Sequence, residues 1–145
     1  MAKTLSLRAA TLSDAEILLA WRNDPETRAA SHNSDEVSLS NHLAWLESSL
    51  QKPEQRRLWL AEKEGKLVGT CRAYREGDTW ELSWTVAPEA RGQGVAYDMV
   101  SRLVKHFDEP LTAQVKIGNV ASMKVAEKLG FKLVKEENGV LFYRL

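Results

Sequence analysis

Apolar residues recur along the chain with two different periods, and each change of period marks a new element. Residues 5–8 alternate between apolar and polar and predict a short strand. Thr11 and Asp14 match a capping box, and apolar residues at helical spacing then continue as far as Trp21. The sequence Asn23-Asp24-Pro25 ends this helix. Residues 28–37 are polar without a clear period and predict a loop with at most one helical turn.

The middle of the chain predicts one helix followed by three strands. Ser38 caps the helix, whose apolar stripe runs through residues 39–50 at helical spacing. Residues 57–63 and 66–75 predict a hairpin joined at Glu64-Gly65. Gly77-Asp78 then turns the chain into a third strand over residues 80–86. The simplest arrangement of these strands is an antiparallel meander.

The last third alternates helices and strands. A helix follows Gly94, with apolar residues on one face as far as Phe107, and Pro110 stops it. Residues 111–116 predict a strand, residues 119–129 a helix, and residues 132–135 and 140–145 a hairpin across Asn138-Gly139. The order β-α-α-β-β-β-α-β-α-β-β predicts a single α+β domain over residues 1–145. Its helices would flank one mixed, mostly antiparallel sheet.

Composition and charge restrict the kinds of partner. The chain has 145 residues, 43% hydrophobic and 28% charged, with 20 basic and 20 acidic side chains. A net charge of zero argues against nucleic acid or an anionic membrane as a partner. The single cysteine, Cys71, excludes an intrachain disulfide and fits a reducing compartment. Because no segment looks like a signal peptide or a membrane span, we expect a cytoplasmic protein.

A glycine-containing loop, R-G-Q-G-V-A at residues 91–96, lies between a predicted strand and a predicted helix. Glycine lets the backbone come close to a ligand, and a helix N-terminus presents unpaired N–H groups and a positive dipole end. Such a loop can hold phosphate oxygens without a metal. An ordinary glycine turn is the alternative, since the loop matches neither the Walker pattern nor G-x-G-x-x-G.

The wider context of this loop resembles the acetyl-CoA signature of the GNAT superfamily of N-acetyltransferases, V-x-P-x-x-R/Q-G-x-G-x-G/A. The positions that match its fixed places are Val86, Pro88, Arg91, Gly94 and Ala96. The family's second mark, an N-x-x-A/S helix that ends in K-x-G-F, is matched by Asn119, Ser122, Lys128, Gly130 and Phe131. The spacing of the two marks and the order of elements also resemble those of the family.

The resemblance implies the GNAT fold, acetyl-CoA as co-substrate and no metal. Acetyl-CoA would enter a V-shaped opening between the third meander strand and the strand at Leu111. The implied cofactor-binding residues are Trp84, Val86, Arg91, Gly92, Gln93, Gly94, Val95, Ala96, Tyr97, Asn119 and Ser122. Asn119 could instead be a helix N-cap, and it could also combine this role with cofactor binding.

Transfer of acetyl to an amine requires that the amine lose a proton. Glu81, on the strand beside the cofactor, is the candidate base, and a surface carboxylate is the alternative interpretation. Ser83 lies on the same side of that strand and could bind the acceptor. Many family members carry a tyrosine acid on the last helix, but the corresponding position here is Ala126. Tyr97 and Tyr143 are the nearest tyrosines in the sequence.

The N-terminal half is left for the amine acceptor. Arg22 could bind a diphosphate, and His42 could act as base or bind the substrate. The patterns W-R-N and H-x-x-W resemble GNAT members that act on nucleotide-linked amino sugars and, less closely, ribosomal-protein N-terminal acetyltransferases. Alternatives are a helix-end arginine, a surface histidine and a catalytically silent acyl-CoA-binding module. We expect a small-molecule acceptor and a monomer or homodimer.

Overall fold

The computed structural model describes residues 4–33 and 35–145, and seven strands within these ranges form one sheet. The strands are β1 Leu5–Ala9, β2 Arg56–Lys63, β3 Lys66–Glu76, β4 Thr79–Val86, β5 Leu111–Lys116, β6 Lys132–Glu137 and β7 Val140–Arg144. The α-helices are α1 Ala15–Arg22, α2 Pro25–Ala30, α3 Leu39–Leu50, α4 Val95–Leu103 and α5 Val120–Lys128. Short 3₁₀ turns precede α1, precede the loop before α4 and follow α4.

The sheet is mixed, as the order of elements predicts. Its strand order is β1-β2-β3-β4-β5-β7-β6, and every neighbouring pair is antiparallel except β4 with β5. This parallel pair is short, because it extends only from Trp80 opposite Leu111 to Leu82 opposite Ala113. Beyond Leu82 the two strands separate, so an opening forms in the middle of the sheet.

Helix packing closes the core around this sheet. Helix α4 packs on β1, β3 and β4, whereas α3 packs on β2 and on α1. The buried face of α4 presents Met99, Val100 and Leu103, all of them fully inaccessible to solvent. This face carries the helical period predicted from the sequence, because burial of an apolar stripe is what stabilises a helix of this length.

The local start signals are confirmed in detail. Thr11 and Asp14 form the capping box, in which the Thr11 N–H donates to Asp14 Oδ2 at 2.8 Å. Ser38 caps α3 by accepting from the Asn41 N–H. At the β2–β3 hairpin, Glu64 and Gly65 both have positive φ, 54° and 78°.

The start of one helix is absent from the prediction, and one predicted boundary is wrong. The single helical turn allowed for in residues 28–37 is the end of α2, which begins earlier, because Pro25 occupies its first turn. Asp24 is the N-cap of α2 and accepts from the Thr27 N–H at 3.1 Å. The helix that follows Gly94 is regular only as far as Leu103, and a 3₁₀ turn replaces its predicted last turn.

Candidate active site

A cleft of about 1050 Å³ opens where β4 and β5 separate, and we call it the main cleft. One wall is the last half of β4, residues 83–86, and the opposite wall is β5 with the start of α5. The loop at residues 91–97 and helix α2 complete the rim. The main cleft therefore lies at the V-shaped opening that the sequence resemblance implies.

The glycine loop takes the backbone geometry that its sequence predicts. Gly92 and Gly94 have φ of 77° and 75°, in the left-handed region that favours glycine, and both line the main cleft. Gly94 is the N-cap of α4, and since it has no side chain, no side-chain cap covers the first N–H groups of that helix. These donors and the positive end of the helix dipole face a site suited to phosphate oxygens.

All of the remaining predicted loop residues except Gln93 line the main cleft. Val95, Ala96 and Tyr97 line the main cleft together with the two glycines. Of the loop residues, all of which the structure describes, only Gln93 is outside the cleft lining, and its side-chain amide donates to the Glu89 carbonyl at 3.4 Å.

Arg91 lines the main cleft, and its side chain is held by residues of α2 and by the N-cap of that helix. Its guanidinium forms ion pairs with Asp24 and with Glu26, the latter at 2.7 Å, and donates to Thr27 Oγ1 at 3.2 Å. The Arg91 guanidinium holds the pKa of Asp24 below its usual value. The side chain therefore ties the glycine loop to α2, whereas the Arg91 main chain remains available to a ligand.

The free edge of β4 offers backbone groups to an extended ligand. Trp84 and Val86 pair on one side with Cys71 and Gly69 of β3, but β4 has no strand partner beyond Leu82 on the other side. Both residues line the main cleft, and the buried indole Nε1 of Trp84 has no hydrogen-bond partner among the residues that the structure describes. A ligand arm can add here like a further strand.

Asn119 and Ser122 line the main cleft at the start of α5. Asn119 is the N-cap of this helix, because its Oδ1 accepts from the Ser122 N–H at 3.3 Å. Asn119 therefore has the helix N-cap role considered from the sequence, and its position at the main cleft leaves room for contact with a ligand.

Glu81 lies at the bottom of the main cleft, one residue before the β4–β5 pairing ends. It is half-buried, and Gln114 Nε2 donates to its Oε1 at 2.8 Å. Burial raises the pKa of the Glu81 carboxyl, and the negative charge of Glu76 raises it further. A carboxylate so placed can accept a proton, and Ser83 lines the same cleft.

A second recess of about 320 Å³, the side cavity, adjoins the main cleft. Its walls are mostly apolar and aromatic. The lining residues are Leu18, Trp21, Arg22, Val37, Asn41, His42, Trp45, Leu58, Thr70, Arg72 and Thr85. Arg22, Arg72 and Thr85 line both recesses and mark where they meet.

His42 belongs to the side cavity and is only 5% exposed, so the interpretation as a surface histidine is wrong. Burial lowers the pKa of His42, and the neighbouring charges of Arg72 and Arg22 lower it further. The neutral form of the imidazole is therefore favoured, and its buried Nε2 has no hydrogen-bond partner among the described residues. The ring of Trp45 lies 5.7 Å away between centroids.

Arg22 lies at the end of α1, which agrees with its interpretation as a helix-end arginine. Its side chain also lines both the side cavity and the main cleft. Burial lowers its pKa, with a further contribution from the charge of Arg72. One guanidinium nitrogen, Nη2, donates to the Asn33 carbonyl at 2.6 Å, whereas Nη1 is buried and has no partner within residues 4–33 and 35–145. Arg22 and His42, predicted from the sequence as acceptor residues, are thus in one recess.

Two residues at the site were missed in the sequence analysis, Arg72 and Gln114. Arg72 Nη2 donates to Ser83 Oγ at 3.4 Å, and Gln114 holds Glu81. The only sequence signal for either is a polar residue in the interior of a strand. That signal is weak, because half of the positions on an ordinary surface strand are polar as well.

The position that corresponds to the family's tyrosine lies in the core. Ala126 is fully buried, whereas its neighbour Val125 lines the main cleft. Tyr143 is also buried, and its hydroxyl donates to Glu127 Oε2 at 3.0 Å. Burial raises the pKa of Tyr143, as does Glu127. Tyr97 lines the main cleft, with Lys128 Nζ 4.1 Å from its ring centroid.

We expect Ala126→Tyr to destabilise the protein by about 1–3 kcal/mol, since a large side chain must enter a packed core. Turnover should stay unchanged or fall. Lys124→Tyr, on the exposed side of the same helix, is the matched control and should leave the melting temperature nearly unchanged. Thermal denaturation and turnover of both variants provide the check. A large gain in turnover for Ala126→Tyr would show instead that the natural protein has lost an acid at this position.

The described residues contain neither a membrane-spanning helix nor a cluster of metal ligands. No helix within residues 4–33 and 35–145 is long and apolar enough to cross a membrane. In the same ranges, no three histidine, cysteine, aspartate or glutamate side chains come together as metal ligands.

Comparison with known proteins was made on sequence and on structure. The acetyltransferase (GNAT) domain family matches residues 4–132. A search of curated proteins gives no match.

Solved structures of acetyltransferases share the fold over nearly the whole chain. An acetyltransferase of Salmonella typhimurium with its cofactor acetyl-CoA is 23% identical, with a TM-score of 0.79 and coverage of 98% of this chain and 93% of that one. A ribosomal-protein-alanine N-acetyltransferase of Brucella melitensis is 28% identical, with a TM-score of 0.81 and coverage of 97% and 98%. Spermidine N-acetyltransferase of Vibrio cholerae, in complex with CoA and spermine, is 17% identical, with a TM-score of 0.84 and coverage of 97% and 93%.

The family match covers most of the chain, and the same elements carry the glycine loop, the open strand edge and the main cleft. The chain therefore belongs to the GNAT acetyltransferase family and is an acetyl-CoA-dependent N-acetyltransferase.

Proposed function

We propose that this enzyme acetylates the amine of a nucleotide-linked amino sugar, with Glu81 taking up the proton of the amine. The observation that carries the proposal is the junction of the two recesses. Glu81 lies in the main cleft, and the side cavity, with its two arginines, opens onto that cleft through Arg22, Arg72 and Thr85. One recess thus fits the acetyl donor, and the other fits a second substrate beside it.

The main cleft suits acetyl-CoA, which when bound supplies the acetyl thioester. Backbone N–H groups of Gly92 and Gly94 and of the first turn of α4 would hold the pyrophosphate. The open edge of β4 at Trp84 and Val86 would pair with the pantetheine arm. Asn119 would approach the same arm from the start of α5. Each of these groups lines the main cleft.

Glu81 is the proposed base because its position and its pKa both suit the task. An acceptor amine must lose its proton before or during attack, and a base works best when its pKa approaches the pH of the reaction. Burial moves the pKa of Glu81 in that direction. Gln114 fixes one carboxylate oxygen, which leaves the other to order a water against the amine.

His42 is assigned to the acceptor. Its neutral imidazole can accept a hydrogen bond from a hydroxyl or amine of the substrate through the unpartnered Nε2. His42 is also the second candidate for the base, since a neutral imidazole can take up a proton. The leaving thiolate would depart without a dedicated acid, because a free thiol has a pKa of about 8.5 and is a fair leaving group.

The proposal is tested by the release of free thiol from acetyl-CoA in the presence of a panel of amines. The panel contains nucleotide-diphosphate-linked amino sugars, peptides with a free N-terminal alanine or serine, and a polyamine. The same sugar nucleotide with its amine already acetylated is the matched control and should release no thiol above background. Highest kcat/KM with an amino sugar supports the proposal.

Two other outcomes would overturn it. Preference for a peptide would favour N-terminal acetylation, a second candidate that gains support from the 28% identity to the Brucella melitensis ribosomal-protein enzyme. Tight acetyl-CoA binding without thiol release for any amine would favour a catalytically silent acyl-CoA-binding module.

A further inference from the structure

The junction between the two recesses contains two guanidinium groups that make no ion-pair contact with a carboxylate of the described chain. Arg22 and Arg72 both line the side cavity and the main cleft. Within residues 4–33 and 35–145, neither guanidinium forms an ion pair with a carboxylate. The two charges are close enough that Arg72 lowers the pKa of Arg22. Two partly buried like charges side by side cost stability, so a partner of opposite charge is expected.

The hydrogen-bonding capacity of the same groups is also only partly used. Arg22 Nη1 and His42 Nε2 are both buried, and neither has a hydrogen-bond partner in the part of the chain that the structure describes. The His42 side chain is buried throughout, since the residue is only 5% exposed. Arg72 donates only a long bond of 3.4 Å to Ser83 and otherwise stacks over the rings of Trp45 and Tyr74. Stacking fixes a guanidinium plane while its N–H groups stay available for a planar or tetrahedral oxyanion.

We propose that Arg22 and Arg72 form an anion subsite that binds a phosphate or carboxylate group of the acceptor, and that this subsite selects acidic acceptors over polyamines. This inference rests on the proposed amine acetylation and deepens it by naming the chemistry that the acceptor must carry. Arg72 is assigned here as a specificity-determining residue.

The sheet register sets the distance between this subsite and the proposed base. Arg72 lies directly opposite Ser83, and Ser83 is two residues from Glu81 on the same face of β4. Diagonal neighbours of this kind lie about 7–8 Å apart between their Cα atoms. The anionic group of the acceptor must therefore lie within a few bonds of the amine that is acetylated. A diphosphate on the sugar that bears the amine satisfies this condition.

The side cavity adds a second restriction. Beyond the two arginines, its walls are largely the apolar and aromatic side chains of Leu18, Trp21, Trp45 and Leu58. No aspartate or glutamate is among its lining residues, all of which the structure describes. A second ammonium group of a polyamine would find no counter-charge there, whereas a ring or nucleobase could stack on a tryptophan.

The first experiment needs no knowledge of the acceptor. Protein saturated with CoA, so that the phosphate site of the main cleft is filled, is titrated by calorimetry with inorganic pyrophosphate and, separately, with succinate. We expect Arg72→Gln and Arg22→Gln each to weaken the binding of the preferred anion by about tenfold or more. Tighter binding of pyrophosphate identifies phosphate as the natural group, and tighter binding of succinate identifies carboxylate.

Arg75→Gln is the matched control, since Arg75 lies on the same strand and stacks on Trp80 outside both recesses. This variant should bind the anion as the wild type does, and Arg72→Lys should recover part of the affinity. Far-UV circular dichroism and a cooperative melting transition should show that both subsite variants are folded at the temperature of the titration. Equal anion affinity in wild type and both variants, or no binding by the wild type, overturns the inference.

A second experiment separates this inference from the proposed function. Thiol release is compared for glucosamine 1-phosphate, glucosamine and spermidine. We expect the phosphorylated sugar to have the highest kcat/KM, with a raised KM and little change in kcat for Arg72→Gln. Equal use of the three amines overturns the subsite while acetylation itself stands. Failure with every amine overturns the proposed function, whereas the anion titration still decides the subsite.

Discussion

Replacing Glu81 by glutamine is expected to lower kcat by about 10²- to 10⁴-fold, which is the usual contribution of a positioned general base. The affinity for acetyl-CoA should not change, because the glutamine has the same shape and can keep a hydrogen bond to Gln114. Steady-state kinetics with the acceptor varied at saturating acetyl-CoA measures the effect. Glu136→Gln, an exposed carboxylate on the outer strand β6, is the matched control and should retain wild-type kcat.

The pH dependence of Glu81→Gln gives an independent check. A base works only when it is deprotonated, so the rate of the wild type should fall as the pH falls through the pKa of Glu81. Burial and the charge of Glu76 raise that pKa, and the fall should therefore occur at a higher pH than for an exposed glutamate. The rate of the glutamine variant should not fall in this pH range. Any pH dependence that comes from protonation of the acceptor amine should persist. Wild-type kcat in the variant would remove Glu81 from the mechanism.

Gly94→Asp should abolish the thermal stabilisation of the protein by acetyl-CoA. A ligand present at 100 times its Kd stabilises the native state by about 2.7 kcal/mol, which is readily measured as a shift in melting temperature. Apart from the adjoining backbone and its two chain neighbours, no described residue has an atom within 4 Å of the position that a Cβ would take at Gly94. The new carboxylate therefore extends into open space at the main cleft. There it would repel the pyrophosphate at the N-terminus of α4.

Gly77→Asp separates this effect from backbone strain. Gly77 also has positive φ, 62°, and open space around its Cβ position, but it belongs to the β3–β4 turn and is outside the cleft lining. Both variants should show the strain of a side chain in the left-handed region, about 1–2 kcal/mol. Only Gly94→Asp should lose the response to acetyl-CoA. Unchanged affinity of that variant by calorimetry would show that the loop does not hold the pyrophosphate.

The elements and the glycine loop could be predicted from the sequence because their signals are local. A capping box at Thr11 and Asp14, a hairpin turn at Glu64-Gly65 and a glycine N-cap at Gly94 each depend on residues adjacent in the chain. The start of α2 at Pro25 was not predicted, although its signals are local as well. Pro25 can end one helix and begin the next, and the sequence around it does not reveal that both happen.

Burial could not be predicted residue by residue. His42 lies on an amphipathic helix, and the sequence leaves open whether its face meets solvent or a cavity. Ala126 matches the family's tyrosine position by count, yet it packs in the core while Val125 lines the main cleft. A helical pattern specifies which residues share a face, but the neighbouring elements decide what that face contacts.

By itself, the sequence determined the order of the elements, the mixed sheet and the loop that suits a pyrophosphate, since caps, turns and period act over a few residues. Only the tertiary structure decided the composition of the acceptor side. Arg22 from α1, His42 from α3 and Arg72 from β3 meet in one recess, and Gln114 of β5 reaches Glu81 of β4. These contacts join residues 20 to 50 positions apart in the chain, so no local pattern of the sequence predicts them. The pairing of the strands and the packing of the helices against each other and on the sheet bring them together.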